Sequence, residues 1–466
     1  MRALKNQAIA WIDHRTGLET SIRKFLYEDI PASSGWHQVF GSVAVFLFLV
    51  QAFTGILLAF NYAPTPGEAY NSMRYILTEV TAGRLMHGLH HWGASMMIVV
   101  VVLHMLQVFL FGGYKKPREA TWIAGVVLLL ITLAYGLTGY LLPWDNKAYW
   151  ATVVVTQIAA GVPLIGPYLS RLLGSTGDVG VVTFARFYAV HVLILPPATG
   201  LLILAHIYLV RKHGVAPVPG DEEQPAKKFY PRQAFLDTIA VFTAFAILFT
   251  LAVVAHLPLE RLADPSDTAY IPRPEWYYLF LFQMLKFFNG PMEVVGTVVL
   301  PGLAVLVLIL IPFIDRSPLM RVSKRVFAMG CILLAGAGWG ALTLAAMKST
   351  PTPGIASQID YAGPIDWMGL TPAVLARGTD KTAPEFAVLG AKLFTKKGCA
   401  ACHMVNGVGG KLCPPLNGLS SRRSEQWVNE NFLHPQKMAP GTIMPAYPFN
   451  DTDIKNMIGY LFTIPE

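Results

Sequence analysis

Long apolar segments alternate with polar ones along the chain as far as about residue 348. Seven of these segments approach or exceed the roughly 20 apolar residues that a membrane-spanning helix requires. They lie at about 38–60, 88–111, 121–142, 187–210, 234–256, 294–314 and 326–347. Only 14% of the residues are charged, against about 25% in soluble domains. The pattern therefore predicts a mainly α-helical fold, a polytopic membrane bundle of seven spans.

The composition divides the rest of the chain. Residues 1–37 carry charges throughout and lack the early apolar core of a cleaved signal peptide, so we expect a surface segment. The first four spans fill 38–210 and the other three fill 211–348. Residues 349–383 are rich in Pro, Gly and small polar residues, as is typical of a linker. Residues 384–466 contain no span and are enough for a small all-α domain built around a cofactor.

Lysine and arginine residues are concentrated in alternate loops. The N-terminal segment and the loops after the second, fourth and sixth spans are rich in them, and the intervening loops are poor. The positive-inside rule places the rich loops in the cytoplasm. We therefore expect a multi-pass protein of the bacterial inner membrane, with its N-terminus cytoplasmic and its tail domain periplasmic. The net charge of +8 reflects this topology, and we do not read it as nucleic-acid binding.

Four histidines in the second and fourth spans are regularly spaced. His90 and His104 are 14 residues apart, so on an α-helix they point within about 40° of each other at heights about 21 Å apart. His191 and His206 are 15 residues apart, which gives about 60° and 22 Å. His91 lies about 140° from His104, so we expect it to point away, toward another helix or the lipid boundary.

The spacing predicts two bis-histidine sites, one near each membrane face. A single histidine in a span often only hydrogen-bonds a neighbouring helix, but ionisable groups in a membrane are costly and four at matching heights favour a function. Neutral imidazole is a common axial ligand of haem iron. Topology pairs His90 with His191 at the outer face and His104 with His206 at the inner face, each pair holding one non-covalent b-type haem.

Glycines in the first and third spans repeat the spacing of 14 residues. Gly41 and Gly55 form one pair, and Gly125 and Gly139 form the other. Because glycine permits close approach, these positions are candidates for clearing the edges of a bound macrocycle. Ordinary packing of small residues between helices explains them equally well on their own.

The tail contains the sequence CAACH. Cys-x-x-Cys-His is the attachment signature of a c-type haem, with thioethers to Cys399 and Cys402 and with His403 as the proximal ligand. A zinc site is the alternative, but it needs further ligands at tetrahedral spacing, and only Cys413 and His434 are available.

The sixth ligand of such a haem is expected to be a methionine farther along the chain. Met444 lies in PGTIMPAY, which is similar to the methionine loop of small cytochromes c, and Met438 is the second candidate. The final helical stretch, DTDIKNMIGYLFTI, begins with good capping residues. We expect it to pack against the helix that precedes CAACH.

Five segments together resemble the cytochrome b subunit of quinol–cytochrome c reductases. They are HHWGASMM, GGYKKPREATW, GYLLPWDNKAYW, RFYAVH and PEWYYLF, and the resemblance runs from about residue 20 to 315. It implies a quinol:cytochrome c oxidoreductase subunit in a dimeric multi-subunit complex with a Rieske-type iron–sulfur protein. One electron of quinol would go to that protein and the other through both b haems to quinone near the cytoplasmic face. The tail would be a fused, class I-like cytochrome c, a high-potential acceptor that passes electrons to a soluble or membrane-bound cytochrome c.

The PEWY motif, residues 274–277, has two interpretations. A proline and a glutamate in a first turn are typical of a helix start. The resemblance instead implies that the motif lines the outer quinol-oxidation pocket, with Glu275 as proton acceptor. Tyr140 and Tyr277 are then candidate pocket walls, and the aromatic residues at 149–150 are expected over the same pocket.

The residues that contact the haem propionates are harder to predict. His87 stands where the chloroplast branch of the family has an arginine that meets a propionate, and it lies about 60° from His90 on the helix. Arg84, Arg118 and Arg211 are further candidates, the last two by resemblance. For an inner quinone site the sequence offers only weak candidates, Arg211 and Asp29.

Two other functions remain open at this point. The chain is alternatively a b/c-type conduit that passes electrons between quinone and a partner dehydrogenase without splitting them at an outer pocket. A non-enzymatic transporter or receptor with a regulatory haem domain is the third hypothesis. PEWY and GYLLPW argue against the conduit, and the paired histidines argue against the transporter.

Overall fold

The computed structural model describes most of the chain. The described residues are 2–176, 179–217, 224–255, 257, 259–260, 262–263, 265, 270–350, 385–410, 413–438, 442, 444–447 and 449–465. Apart from residues 349 and 350, the predicted linker lies outside the described residues.

Within the residues that the structure describes, seven helices are long and apolar enough to cross a membrane, which confirms the predicted bundle. Spans 1 to 7 are Trp36–Ala59, Gly83–Leu110, Glu119–Tyr140, Val181–His213, Arg232–Val254, Gly290–Ile314 and Val326–Ser349. Large apolar side chains such as Leu204, Phe242 and Leu334 are exposed on their outer surfaces. A helix that exposes such side chains requires an apolar surrounding, as a lipid bilayer provides.

Shorter elements connect the spans. The helices outside the spans and before the tail are Arg2–Thr16, Leu18–Leu26, Ala69–Thr78, Asn146–Ala160, Gly166–Leu173 and Leu279–Leu285, with single 3₁₀ turns at Trp276–Tyr278 and Val322–Lys324. One antiparallel strand pair joins Asp29–Ile30 to Lys227–Lys228.

The spans do not pack simply in sequence order, because spans 5 and 6 return to contact the first three. Span 2 lies against spans 1 and 5, and span 3 lies against spans 4 and 6. Span 7 packs on the helix Leu279–Leu285, where Lys286 donates a hydrogen bond to Ser349 at 2.9 Å. The end of span 7 therefore lies on the same side of the bundle as residues 274–277. This side is called the PEWY side below, and the other is called the opposite side.

Span 4 is not a regular α-helix. It contains one π-helical turn at Val190–Ile194, which includes His191. Pro196 and Pro197 follow after Leu195, and proline supplies no backbone N–H to the preceding turn. A π-turn takes up one extra residue, so the 15-residue interval to His206 spans about the same height and angle as the 14-residue interval in span 2.

A compact layer covers the PEWY side. Asp145 is 7% exposed and caps the helix Asn146–Ala160, accepting a hydrogen bond from the Ala148 amide at 2.8 Å. Tyr70, Trp144 and Phe184 are buried in the apolar cluster beneath that helix. The Glu260 backbone is tied to this layer through Tyr70, whose hydroxyl donates to the Glu260 carbonyl at 2.7 Å. The layer thereby holds one point of the chain ahead of residues 274–277.

Charged groups join the loops on the opposite side. Asp315 forms ion pairs with Lys115 at 3.1 Å and with Arg325 at 3.2 Å. Tyr114 donates to the same carboxylate, and the Arg325 side chain is only 3% exposed. The loop between spans 2 and 3 is thereby fastened to the loop between spans 6 and 7.

The tail forms a small helical domain. Its helices are Glu385–Lys396, Leu419–Arg422, Glu425–Leu433, Pro435–Met438 and Asp451–Phe462, with short paired strands at Met404–Val405 and Val408–Gly409. The first and last helices cross closely, since a Cβ on Gly390 would lie 2.0 Å from the Asn456 carbonyl oxygen. Phe394 and Tyr460 contact across the crossing, with ring centroids 5.6 Å apart. The predicted packing of these two helices is confirmed.

Candidate functional site

One continuous cavity runs through the bundle formed by spans 1 to 4. Its volume is about 1510 Å³, larger than the roughly 300–1,000 Å³ of a pocket for one small ligand. The lining extends from Glu28 and Arg211 on the opposite side to Lys147 and Glu275 on the PEWY side, and it includes the four paired histidines. The cavity therefore has room for several ligands in succession across the membrane.

His90 and His191 face each other across the PEWY-side part of the cavity. Their ring centroids are 6.3 Å apart and the rings are inclined by 71°. Two metal–imidazole bonds of about 2 Å each, together with the two ring radii, account for this separation. The geometry fits two axial ligands on opposite faces of one haem.

Two threonines fix the orientation of these imidazoles. Thr54 donates its hydroxyl hydrogen to the Val50 carbonyl at 2.7 Å and lies 3.0 Å from Nδ1 of His90. Because that hydrogen is already used, the threonine oxygen accepts and Nδ1 of His90 donates. Thr138 holds Nδ1 of His191 in the same way at 3.0 Å. Both Nε2 atoms then keep their lone pair, the state that binds a metal.

The second pair lies toward the opposite side. The ring centroids of His104 and His206 are 6.4 Å apart and the rings are inclined by 78°. The two pairs thus have nearly the same separation, and both fit a haem held by two axial histidines.

Each of the four predicted glycines lies beside one histidine. A Cβ added to any of these glycines would lie close to the Cε1 atom of its histidine. The distances would be 3.5 Å from Gly41 to His104, 3.1 Å from Gly55 to His90, 3.4 Å from Gly125 to His206 and 2.7 Å from Gly139 to His191. A side chain at these positions would enter the space between the paired rings. The structure therefore favours the role of clearing a macrocycle over helix packing alone.

Thr54 and Thr138 were missed in the sequence, although a signal for them exists. Each directly precedes a glycine that faces the PEWY-side pair, in FTGI of span 1 and LTGY of span 3. The repeated Thr-Gly dipeptide places a hydroxyl next to the gap that its glycine opens.

The residues predicted to contact haem propionates differ in whether they line the cavity and in the partners that they already have. His87 and Arg118 line the cavity, and Arg118 also donates to the Gly214 carbonyl at 2.9 Å. Arg211 lines it as well and pairs with Glu28 at 3.0 Å. Arg84 is exposed and does not line the cavity, so the geometry favours His87 among the PEWY-side candidates.

The predicted pocket residues on the PEWY side come together. Glu275 forms an ion pair with Lys147, with Oε1 and Nζ 2.9 Å apart. Tyr140 donates to the Arg273 carbonyl at 3.2 Å. Tyr277 is 8% exposed and lies so close to Gly136 that a Cβ there would stand 2.7 Å from the tyrosine hydroxyl oxygen. Burial, followed by the negative charge of Glu275, raises the pKa of Tyr277, so this hydroxyl stays protonated.

His91 lies at this pocket rather than at the lipid boundary. It lines the cavity and lies close enough to the Glu275 carboxylate for the two groups to interact electrostatically. The sequence predicted correctly that His91 turns away from the paired histidines. It did not predict that His91 lies near Glu275, because that residue is far away along the chain.

The aromatic residues at 149–150 lie elsewhere than expected. Tyr149 is 5% exposed and packs with Trp144 in the apolar cluster of the PEWY-side layer, and Trp150 packs against the same cluster. Neither lines the cavity. They support the helix that carries Lys147, a residue whose role the sequence did not predict.

Polar side chains line the cavity on the opposite side. Ser42 donates to Asp237 at 2.7 Å, and the amide of Gln233 donates to the other oxygen of that carboxylate at 2.8 Å. Asp237 was missed because the contact joins residues 195 positions apart. Asp29 also lines this end and pairs with Lys228 at 2.8 Å.

The CAACH segment has the local geometry of a haem-attachment loop. Nδ1 of His403 lies 2.9 Å from the Pro414 carbonyl oxygen, which only accepts, so Nδ1 carries the hydrogen and Nε2 is left for a metal. The backbone packs tightly around it, since a Cβ on Gly410 would lie 2.0 Å from the Ala401 carbonyl oxygen. Cys399 is buried and Cys402 is partly exposed.

The methionine candidates differ in their surroundings. Met444 packs against the apolar cluster of the tail, and its sulfur lies 3.3 Å from the side-chain amide of Asn431. Met438 ends a short helix and is not part of that cluster. The structure therefore favours Met444 as the sixth ligand.

We expect Met444→Ala to lower the reduction potential of the c-type haem, because methionine ligation raises it. The change should be on the order of a tenth of a volt, since axial ligands set haem potentials over about 0.8 V. A redox titration followed at the c-type absorption band measures it. Met438→Ala is the matched control and should leave the potential unchanged, whereas the reverse result would assign the ligand to Met438.

Three family models match separate parts of the chain. Residues 29–214 match the model described as Cytochrome b/b6/petB, and residues 262–361 match Cytochrome b(C-terminal)/b6/petD. Residues 387–465 match Cytochrome c. The first two models include the histidine pairs and residues 274–277, and the third includes CAACH.

Individual relatives are similar over most of the membrane part. The chain is 35% identical over 341 residues to the cytochrome bc complex cytochrome b subunit of Chlorobaculum thiosulfatiphilum, covering 71% of this chain and 79% of that protein. It is 39% identical over 206 residues to cytochrome b6 of Oltmannsiellopsis viridis, covering 44% and 96%. The solved structure of a hyperthermophilic respiratory Complex III is similar with a TM-score of 0.65 and 27% identity, covering 74% of this chain and 92% of that one.

Proposed function

Because this chain belongs to the cytochrome b family of bc-type electron-transfer complexes and carries a cytochrome c domain, we propose that it is the catalytic subunit of a quinol:cytochrome c oxidoreductase. Quinol would be oxidised at the PEWY side of the cavity, and the charge distribution of the loops supports a periplasmic orientation of this side. The observation that carries the proposal is one cavity with two histidine pairs at 6.3 and 6.4 Å and a partly buried carboxylate at its end.

The four paired histidines would hold two b-type haems. His90 with His191 binds one and His104 with His206 binds the other, while Cys399, Cys402 and His403 bind a c-type haem with Met444 as sixth ligand. When bound, the b haems supply a path for one electron across the membrane, and the c haem supplies a high-potential acceptor. The tautomers set by Thr54 and Thr138 support the first pair, since Nε2 is left as the metal-binding atom.

Glu275 would take a proton from quinol. Oxidation of quinol to quinone releases protons as electrons leave, so a carboxylate within hydrogen-bond reach serves as a general base. Tyr140 and Tyr277 would form the walls of the pocket. Both line the same cavity as Glu275, and Tyr277 is held against Gly136 too closely to move toward span 3.

A Rieske-type iron–sulfur protein would take the other electron on the PEWY side. The chain itself supplies no cluster ligands of that kind beside the pocket among the described residues, so the first acceptor has to be a partner subunit. The fused cytochrome c domain then serves as the next acceptor, ahead of a soluble or membrane-bound cytochrome c. We expect the complex to be a dimer with further subunits.

Quinone reduction would take place at the opposite end of the cavity. Asp237, held by Ser42 and Gln233, is our candidate to accept a hydrogen bond from a hydroxyl of the quinol that forms there. Arg211 is less suited than the sequence implied, because Glu28 already pairs with its guanidinium at 3.0 Å.

A redox-titrated visible spectrum of the purified complex tests this function. We expect two b-type transitions, one c-type transition and an iron–sulfur signal that copurifies. A single b-type transition would overturn the proposal. Two b haems without a copurifying iron–sulfur protein would instead favour the conduit between quinone and a dehydrogenase.

A further inference from the structure

Lys147 lies at the candidate quinol pocket with no function assigned by the sequence. It is the second residue of the helix Asn146–Ala160, whose N-cap is the buried Asp145. Its ammonium is 2.9 Å from Oε1 of Glu275 and 5.0 Å from the centroid of the Tyr140 ring. The side chains of Lys147 and Glu275 are 32% and 17% exposed, and both line the cavity. The ion pair is therefore part of the pocket wall and not a surface contact.

We propose that Lys147 is a positioning residue for quinol oxidation, which keeps the Glu275 carboxylate ionised and directed into the cavity so that it is ready to accept a proton. The inference rests on the proposed role of Glu275. The two oxygens of the Glu275 carboxylate have different roles in it. Oε1 forms the ion pair with Lys147, and Oε2 has lone pairs of its own. Oε2 is thus the atom that would accept from a quinol hydroxyl.

Several groups face the Glu275 carboxyl, and their effects differ. Lys147 approaches from the helix after span 3, His91 from span 2 and Tyr140 from span 3, while Asp145 and Tyr277 lie close by. Burial raises the pKa of Glu275, but the charge of Lys147, followed by that of His91, outweighs burial, and the pKa is lowered. Without the cation, a carboxyl this deep would tend to hold its proton and be a poor acceptor.

Lys147 itself remains charged in this position. Burial lowers its pKa, but Glu275 and then Asp145 and Glu260 raise it by more. The other two carboxylates have partners of their own: Asp145 accepts from the Ala148 amide, and Glu260 accepts from the Tyr270 hydroxyl at 2.6 Å. Direct contact with the ammonium therefore falls to Glu275.

The sign of the expected pH effect follows from these charges. A carboxyl whose pKa is lowered stays deprotonated to more acidic pH, so the acceptor is available over a wider range. Removing the cation leaves burial to dominate, and Glu275 becomes protonated at a higher pH. The acid side of the rate profile should then move upward.

The experiment measures quinol oxidation against pH in the intact complex. In Lys147→Met we expect the acid limb to move to higher pH by about one to three units, the range by which an adjacent cation lowers a carboxyl pKa, with the rate at alkaline pH largely retained. Lys147→Arg keeps the charge and should follow the wild type. Lys348→Met removes an exposed lysine at the PEWY-side end of span 7 and is the matched control.

An infrared titration of the protonated carboxylic acid band gives a readout that does not depend on turnover. The band that is lost in Glu275→Gln should appear at higher pH in Lys147→Met than in the wild type. Visible spectra with all three haems present show that each variant is folded, and Lys147→Gln replaces Lys147→Met if the latter loses haem. An unchanged acid limb and an unchanged band in a haem-replete variant overturn the role of Lys147. If Glu275→Gln itself oxidises quinol at the wild-type rate, the role of Glu275 has failed instead.

Discussion

Replacing His90 by leucine is expected to leave the purified protein with one b-type haem instead of the two that we propose for the wild type. Leucine fills a similar volume but has no nitrogen to bind a metal, and His191 is left as the single imidazole on that side of the cavity. The pair His104 and His206 lies about 21 Å away along the helix axis and keeps its own 6.4 Å geometry. A redox-titrated visible spectrum should therefore show one b-type transition fewer than that of the wild type.

His91→Leu is the matched control for this variant. His91 is the neighbouring residue in the same helix, but its ring faces the Glu275 segment and belongs to neither pair. Both b-type transitions should remain in His91→Leu. Two b haems in His90→Leu together with one in His91→Leu would contradict the assignment of the ligands.

Replacing Glu275 by glutamine is expected to stop quinol oxidation while haem binding continues. Glutamine keeps the shape of the side chain but cannot accept a proton, and general-base catalysis contributes about 10²–10⁴-fold to a rate. The rate of quinol-dependent cytochrome c reduction should fall by that order. The visible spectrum should still show both b-type haems, because Glu275 contacts neither histidine pair.

Glu293→Gln provides the comparison on the same side of the bundle. Glu293 is exposed and is not among the residues that line the cavity. It should oxidise quinol at the wild-type rate. An unchanged rate in Glu275→Gln would show that Glu275 is not the proton acceptor.

The features that the sequence predicted well depend on a single rigid helix. The angle and height between His90 and His104 follow from helix geometry alone, and the structure places both rings on the cavity. The spacing of Gly41 and Gly55 is predictable for the same reason. Each of these pairs lies within one span, so no knowledge of how the spans pack is needed.

The features that the sequence missed depend on contacts between distant segments. Lys147 meets Glu275 across 128 residues, and Ser42 meets Asp237 across 195. Lys147 and Asp237 have no pattern in their own segments that distinguishes them from solvated charges near a membrane surface. The direction of His91 was predictable from helix phase, but what lies in that direction was not.

The π-turn at Val190–Ile194 has a consequence for how the length of this protein can change. One residue added to an ideal helix rotates everything beyond it by about 100° and moves it by 1.5 Å, which would carry a ligand off its face. Span 4 stores its additional residue in one local bulge, and the helix on either side keeps its phase. Insertions and deletions in such a span are therefore constrained by the rotation that they cause and not by the change in length. A one-residue deletion inside the bulge is the change that would keep both ligands on the same face.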